Sequence, residues 1–164
     1  MKKHHTKKLF QLTIFLRTIL IGLFGGLFWN LFFFVMYYFN MIELEPIKLL
    51  KIFPQTGTWS LKWYAYFILI IVTSILSMII AFIYLFLFKQ RKSWIMGAVY
   101  GVLIWILMYG IVPMLIKNYN PLIHLNTNSH IAMFCLFLLY GVFVGYSISY
   151  EYENIREEYL STSK

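Results

Sequence analysis

Charge is the first thing this chain lacks. Only 12% of its 164 residues are Asp, Glu, Lys or Arg, about half the share of a soluble domain. A water-soluble helix bundle is excluded, because each of its helices would need a polar outer face. Cysteine is scarcer still. Cys135 stands alone, so no disulfide can close within one chain and nothing is said about redox compartment. Acidic residues number six against fourteen basic ones. None lies inside an apolar run, so a proton- or sodium-driven pump has no carboxylate at depth to couple to. HExxH, a phosphate-cradling glycine loop, paired carboxylates in the membrane and a nucleophile beside a base are all missing. The expectation is a non-enzyme with no metal and no cofactor.

What the chain has instead is apolar length. Hydrophobic residues make up 61% of it and aromatics 21%. A helix needs about 20 apolar residues to cross a bilayer core. Four stretches reach that length without a charge, at about 18–39, 64–88, 94–116 and 131–150. The fold class expected is all-α: a polytopic membrane protein with four transmembrane helices in one bundle. The basic start "MKKHHTKK" imitates a signal peptide, but the first run ends in "MYYFNM" with no small-residue cleavage site, so it reads as a retained span. No repeat or low-complexity tract appears. A four-span domain, 18–150, is flanked by a basic tail, 1–17, and an acidic tail, 151–164.

Orientation follows from the basic residues near the span ends. Lys2, Lys3, Lys7, Lys8, Arg17, Lys89, Arg91, Lys92, Arg156 and Lys164 fall on one side; Lys48, Lys51, Lys62 and Lys117 fall on the other. Ten against four places both termini in the cytoplasm of a cell-membrane protein. The net charge of +8 suits anionic lipid at that face, at about 1 kcal/mol per basic residue near the surface. No folded basic reading surface for nucleic acid is visible. The acidic "EYENIREEY" shares a compartment with "KQRK", and a weak, salt-sensitive attraction between them is expected.

Glycine recurs at a spacing of four: Gly22 and Gly26, Gly97 and Gly101, Gly141 and Gly145. The second span offers Thr73, Ser77 and Ala81 at the same spacing. In lipid, burying oil against oil gains little, so helices associate along flat strips of small residues. At about 1.5 Å per residue, all three glycine strips lie in the half nearer the cytoplasm. They read as packing faces rather than gates. Bulkier residues, Phe32 to Phe34, Tyr37 and Tyr38, fill the outer half, which implies a bundle that is tight inside and wedged outside.

The polar groups at depth are few. Asn30 is the most expensive to bury and is expected to bond across to Ser74 or Ser77; the alternative is a group lining a polar cavity. Pro113 should bend or loosen the outer end of the third span. After the first span, Pro46 opens a short interfacial helix, about 46–53, with Lys48 and Lys51 opposite an apolar face. Trp59, Trp63 and Tyr64 follow as interfacial anchors. His124 and His130 lack a carboxylate or thiol beside them and make a poor metal site. Ser129 is expected to cap the fourth span, with "NTNS" supplying the turn.

The first span, "IGLFGGLFWNLFFFVMYYFN", and the fourth, "YGVFVGYSISYEYE", together resemble the YqhR-type conserved membrane protein family of spore-forming Gram-positive bacteria. The tryptophan-bearing "TGTWSLKW" and the short basic connection before the third span fit the same layout, and the resemblance runs from Thr13 to Glu153. It implies location and architecture and carries over no catalytic or ligand residue. The function expected is that of a non-enzymatic assembly or interaction component with a protein partner or a second copy of itself. A small oligomeric transporter or channel subunit is the alternative.

Overall fold

The structure, a computed structural model, describes residues 2–47, 49, 63–88, 94–111 and 126–162. Helix α1 spans Lys2–Tyr38, α2 Tyr64–Phe88, α3 Trp94–Ile106 and α4 Thr127–Thr162; α3 continues as a π-helical segment, Leu107–Ile111. No strand occurs among the described residues. Helices α1, α2 and α4 are each long and apolar enough to cross a membrane, and a shorter apolar stretch covers Ile95–Gly110.

Helix α2 begins and ends where its composition predicts. Helices α1 and α4 do not, because both continue well past the apolar run. With 37 and 36 residues they rise roughly 55 Å each, far beyond the about 30 Å of a hydrocarbon core. The surplus is stabilised by pairing. The ring of Phe10 packs on Tyr152 at 6.3 Å and on Tyr159 at 5.1 Å, Ile155 is buried, and Arg17 lies 3.5 Å from Glu151. The two tails are thus antiparallel helical arms at one end of the bundle. Glu151 has Arg17 as its cation; residues 89–92, the partner expected from sequence, lie outside the described residues.

Helix α1 stops at Asn40, whose φ of 54° is the left-handed conformation that asparagine tolerates best after glycine. The Met41 N–H reaches back to Met36 O at 2.9 Å and the Asn40 N–H to Tyr37 O at 3.0 Å, a Schellman closure. The chain then turns inward. Ile42, Leu44, Pro46 and Leu49 are buried, with Ile42, Leu44 and Leu49 in one cluster with Phe33, Leu69, Met133 and Leu136. Pro46, Ile47 and Leu49 do form a 3₁₀ turn, but Pro46 and Leu49 point into the bundle instead of resting on its surface. Residues 50–62 of the expected interfacial region lie outside the described residues.

The cap of α4 also differs from expectation. The Asn126 side chain accepts the Thr127 N–H at 2.9 Å and its carbonyl accepts the His130 N–H at 3.1 Å. The helix therefore starts before Ser129. That leaves the buried Ser129 hydroxyl free to accept the Glu43 N–H at 3.1 Å, which ties the linker to α4. In α3 the change to π geometry begins at Leu107, six positions before Pro113, a residue with no N–H to continue the ladder. Pro113 and His124 lie outside the described residues.

The four helices divide into two close pairs, α1 with α2 and α3 with α4, and α4 also packs along α1. Contact between α2 and α4 is sparser. Long side chains bridge it.

Candidate functional site: a polar stripe on the second helix

Thr73, Ser77 and Tyr84 lie at positions i, i+4 and i+11 of α2, and so share one face of that helix. Each makes a hydrogen bond to another helix. Asn30 of α1 is 3% exposed; its amide donates to Thr73 Oγ1 at 2.6 Å and to Gly26 O at 2.8 Å. A carbonyl can only accept, so the contact with Gly26 fixes which end of the amide carries the nitrogen. Thr73 in turn donates to Leu69 O at 2.8 Å. The Ser77 hydroxyl donates to Gly22 O at 2.6 Å and meets the Tyr140 hydroxyl at 2.7 Å. Tyr84 reaches Ser149 at 3.2 Å. On the same stretch of α2, Ile80 O accepts the Tyr100 hydroxyl of α3 at 2.6 Å. One stripe, rising roughly 16 Å, thus binds α2 to all three other helices.

The glycines make this arrangement possible. A methyl placed on Gly22 would stand 2.7 Å from Met78 Cα, and one on Gly26 2.6 Å from Ser74 Cα. Between α3 and α4, a methyl on Gly97 would lie 2.7 Å from Gly141 O, one on Gly101 would meet Phe137 O, and one on Gly141 would meet the Gly101 backbone. Gly145 faces Gly97 Cα at 2.6 Å but also the Tyr84 ring at 3.1 Å. Gly25 faces α4 and the Ser77 hydroxyl together: a methyl there would come 2.9 Å from Val144, 3.2 Å from Ser77 Oγ and 3.4 Å from the Tyr140 ring. Gly25 and Gly145 therefore leave room for the two tyrosines that cross between α2 and α4, Tyr140 from α4 to Ser77 and Tyr84 from α2 to Ser149.

Three buried polar atoms beside the stripe have no hydrogen-bond partner: Trp29 Nε1, Asn30 Oδ1 and Ser74 Oγ. The Asn30 amide is consumed on its donor side only. Trp29 stacks on Phe33 at 5.0 Å and packs against both the cluster around Phe33 and Leu136 and the cluster around Tyr84 and Val144.

This all-helical, lipid-compatible bundle can be set beside known proteins. The family described as conserved membrane protein YqhR matches residues 1–163. The chain belongs to the YqhR family. A relative, uncharacterized protein YqhR of Bacillus subtilis (strain 168), is 32% identical over 145 residues, covering 88% of this chain and 81% of its own length. No solved structure matches the chain.

In this YqhR-family chain the residues singled out from sequence do converge, with one exchange of partners. Gly22, Gly26, Ser74 and Ser77 lie together between α1 and α2, and Gly97, Gly101, Gly141 and Gly145 lie between α3 and α4. Asn30 bonds to Thr73 and not to Ser74, because a step of one residue rotates a side chain about 100° around the helix, and not to Ser77, which lies a turn further along the same face and bonds to Gly22 and Tyr140. Ser149 and the roles of Tyr84, Tyr100 and Tyr140 escaped the sequence reading. The signal was present in the spacing of Thr73, Ser77 and Tyr84. His130 sets its ring against Tyr109 at 5.2 Å.

Proposed function

We propose that the protein is a non-enzymatic assembly or interaction component of the bacterial cell membrane, with four spans and both termini in the cytoplasm. The observation that carries this reading is the pair of helical arms. Phe10, Tyr152 and Tyr159 hold the start of α1 against the end of α4, and the two arms bring a basic and an acidic segment to one end of the bundle. Asn154, Arg156, Glu157 and Glu158 are exposed on that projection. Exposed polar groups on a paired helical platform suit a protein partner or a second copy of the chain. Anionic lipid at the same face suits the basic arm.

The test is site-specific photo-crosslinking in native membranes from residue 157, with a probe at lipid-facing residue 103 as reference. A single protein adduct specific to position 157 supports the reading. Absence of any adduct there counts against it. The unpartnered Trp29 Nε1, Asn30 Oδ1 and Ser74 Oγ favour a second reading, a small oligomeric transporter or channel subunit. Ion or solute flux in proteoliposomes of the purified chain, abolished by Asn30→Leu, would establish that one instead.

A further inference from the structure

The chain that follows α1 does not pass over the end of the bundle; it dips into it. Residues 41–47 and 49 are irregular apart from the 3₁₀ turn at Pro46, Ile47 and Leu49. Ile42, Leu44, Pro46 and Leu49 are buried. The apolar cluster that Ile42, Leu44 and Leu49 join extends to Phe33, seven residues back from Asn40, and to Leu136, nine residues past Thr127. That is roughly 10–13 Å of helix at this end. Irregular backbone at such depth is tolerated only where protein buries it or where it lines a water-filled space. Here protein buries it, and the Glu43 N–H on Ser129 Oγ at 3.1 Å ties it to α4.

One turn further in, the lining is polar. Leu69 belongs to the cluster around the segment, and its carbonyl accepts Thr73, to which the Asn30 amide donates. Phe33 belongs to it as well and stacks on Trp29. Asn30 and Ser74 meet at Gly26: the amide donates to its carbonyl at 2.8 Å, and Ser74 Oγ stands 3.1 Å from the place of its missing methyl. Asn30 and Ser74 are 3% and 8% exposed. Yet Asn30 Oδ1, Ser74 Oγ and the neighbouring Trp29 Nε1 have no hydrogen-bond partner among the described residues. With the segment seated, these groups are shut off from water at this end, and each orphaned group costs free energy. With the segment withdrawn, the space left by its apolar side chains admits water to them, while those side chains lose their burial. The two effects oppose each other at similar magnitude, which is the condition for a two-state element.

We infer that residues 41–47 and 49 form a re-entrant gate, seated among α1, α2 and α4 and withdrawing to let water reach Trp29, Asn30 and Ser74. The gate rests on neither reading given above: the arms lie at the opposite end of the bundle, and the gate requires water at Trp29 but no flux.

Water at Trp29 can be read directly. Hydroxyl radicals from a synchrotron X-ray pulse oxidise side chains that lie next to water, and mass spectrometry follows the products residue by residue in the full chain in nanodiscs. Ser129→Ala removes the acceptor of the Glu43 N–H and is expected to raise oxidation of Trp29 about fivefold or more, in line with one lost hydrogen bond. Leu44→Ala removes an apolar anchor instead, should act in the same direction, and serves where the first variant fails to fold. Tyr100, 4% exposed and with its hydroxyl on Ile80 O, is the internal reference and should keep its wild-type rate. Phe10→Ala, at the opposite end, should leave Trp29 unchanged. Asn30→Leu added to Ser129→Ala should reverse most of the rise, because withdrawal then hydrates one polar group fewer. Wild-type oxidation of Trp29 in both gate variants would overturn the gate, since the layer then stays dry when the segment is loosened. A parallel rise at Trp29 and Tyr100 would overturn it as well, as a loosening of the whole bundle. So would a rise that Asn30→Leu leaves intact, because the polar layer would then play no part.

Discussion

Tyr140 of α4 donates its phenolic hydrogen to Ser77 of α2 at 2.7 Å. The direction is forced, since Ser77 has one proton and gives it to the Gly22 carbonyl at 2.6 Å. Three helices therefore share a single hydroxyl, and the order of donors runs from α4 through α2 to α1.

Ser77→Ala removes both bonds of this chain and Tyr140→Phe only the one between the two hydroxyls, so one bond is common to the two changes. Ser77→Ala and Tyr140→Phe are each expected to lower bundle stability by about 1–2 kcal/mol. The double variant should lose less than the two combined, because both single changes disrupt one bond. Unfolding of the full chain in mixed micelles by a denaturing detergent measures it. Strict additivity would show that the two hydroxyls do not interact.

The glycines should not be equally sensitive. Gly26→Ala and Gly101→Ala push a methyl into Ser74 Cα and the Phe137 carbonyl, backbone atoms that cannot step aside. Each should cost about 1–3 kcal/mol through overpacking. Gly110, with nothing within 4 Å of its missing methyl, should tolerate alanine. Comparable losses at Gly110 and Gly101 in the same assay would refute close backbone packing as the reason for the strips.

The arms should depend on rings more than on charge. Phe10→Ala is expected to speed amide exchange over residues 152–160 about tenfold, equivalent to roughly 1.4 kcal/mol of local opening. Glu151→Gln should change it little, because the Arg17 side chain is 56% exposed and such pairs contribute about 0–1 kcal/mol. A larger effect from Glu151→Gln, erased by high salt, would reverse the assignment.

Orientation can be read with cysteines in a Cys135→Ser background. A membrane-impermeant maleimide should label Asn128→Cys in intact cells and Asn154→Cys only after permeabilisation, as the distribution of lysine and arginine requires. Labelling of the second in intact cells would invert the topology.

Much of this architecture is legible in the sequence because lipid imposes a simple rule. Helix α2 has an uncharged apolar run and nothing else, so composition alone gives its ends. In α1 and α4 composition gives the apolar run, but the helix continues for as long as the arms have each other to pack on, and Phe10 with Tyr159 is a contact across nearly the whole chain length. Spacing shows that Gly22 and Gly26 share a face; it does not show that Gly25 also meets Val144 and Tyr140 of α4. The partner of Asn30 was displaced by one position for the same reason: depth is readable from residue count, whereas rotation about the axis needs the neighbouring helices. Ser129 illustrates a competition that local signals cannot decide, since Asn126 takes the capping role and leaves the serine to the linker.

The inward turn after α1 has a practical consequence for anyone handling this protein. A segment between two spans is the usual place for an epitope, a protease site or a fluorescent insertion. Here Ile42, Leu44 and Leu49 are as deeply packed as helix residues, and Glu43 is tied to Ser129. An insertion at 42–49 would pull the stopper out of the end of the bundle opposite the arms, and the resulting loss of protein would be easily mistaken for a wrong topology.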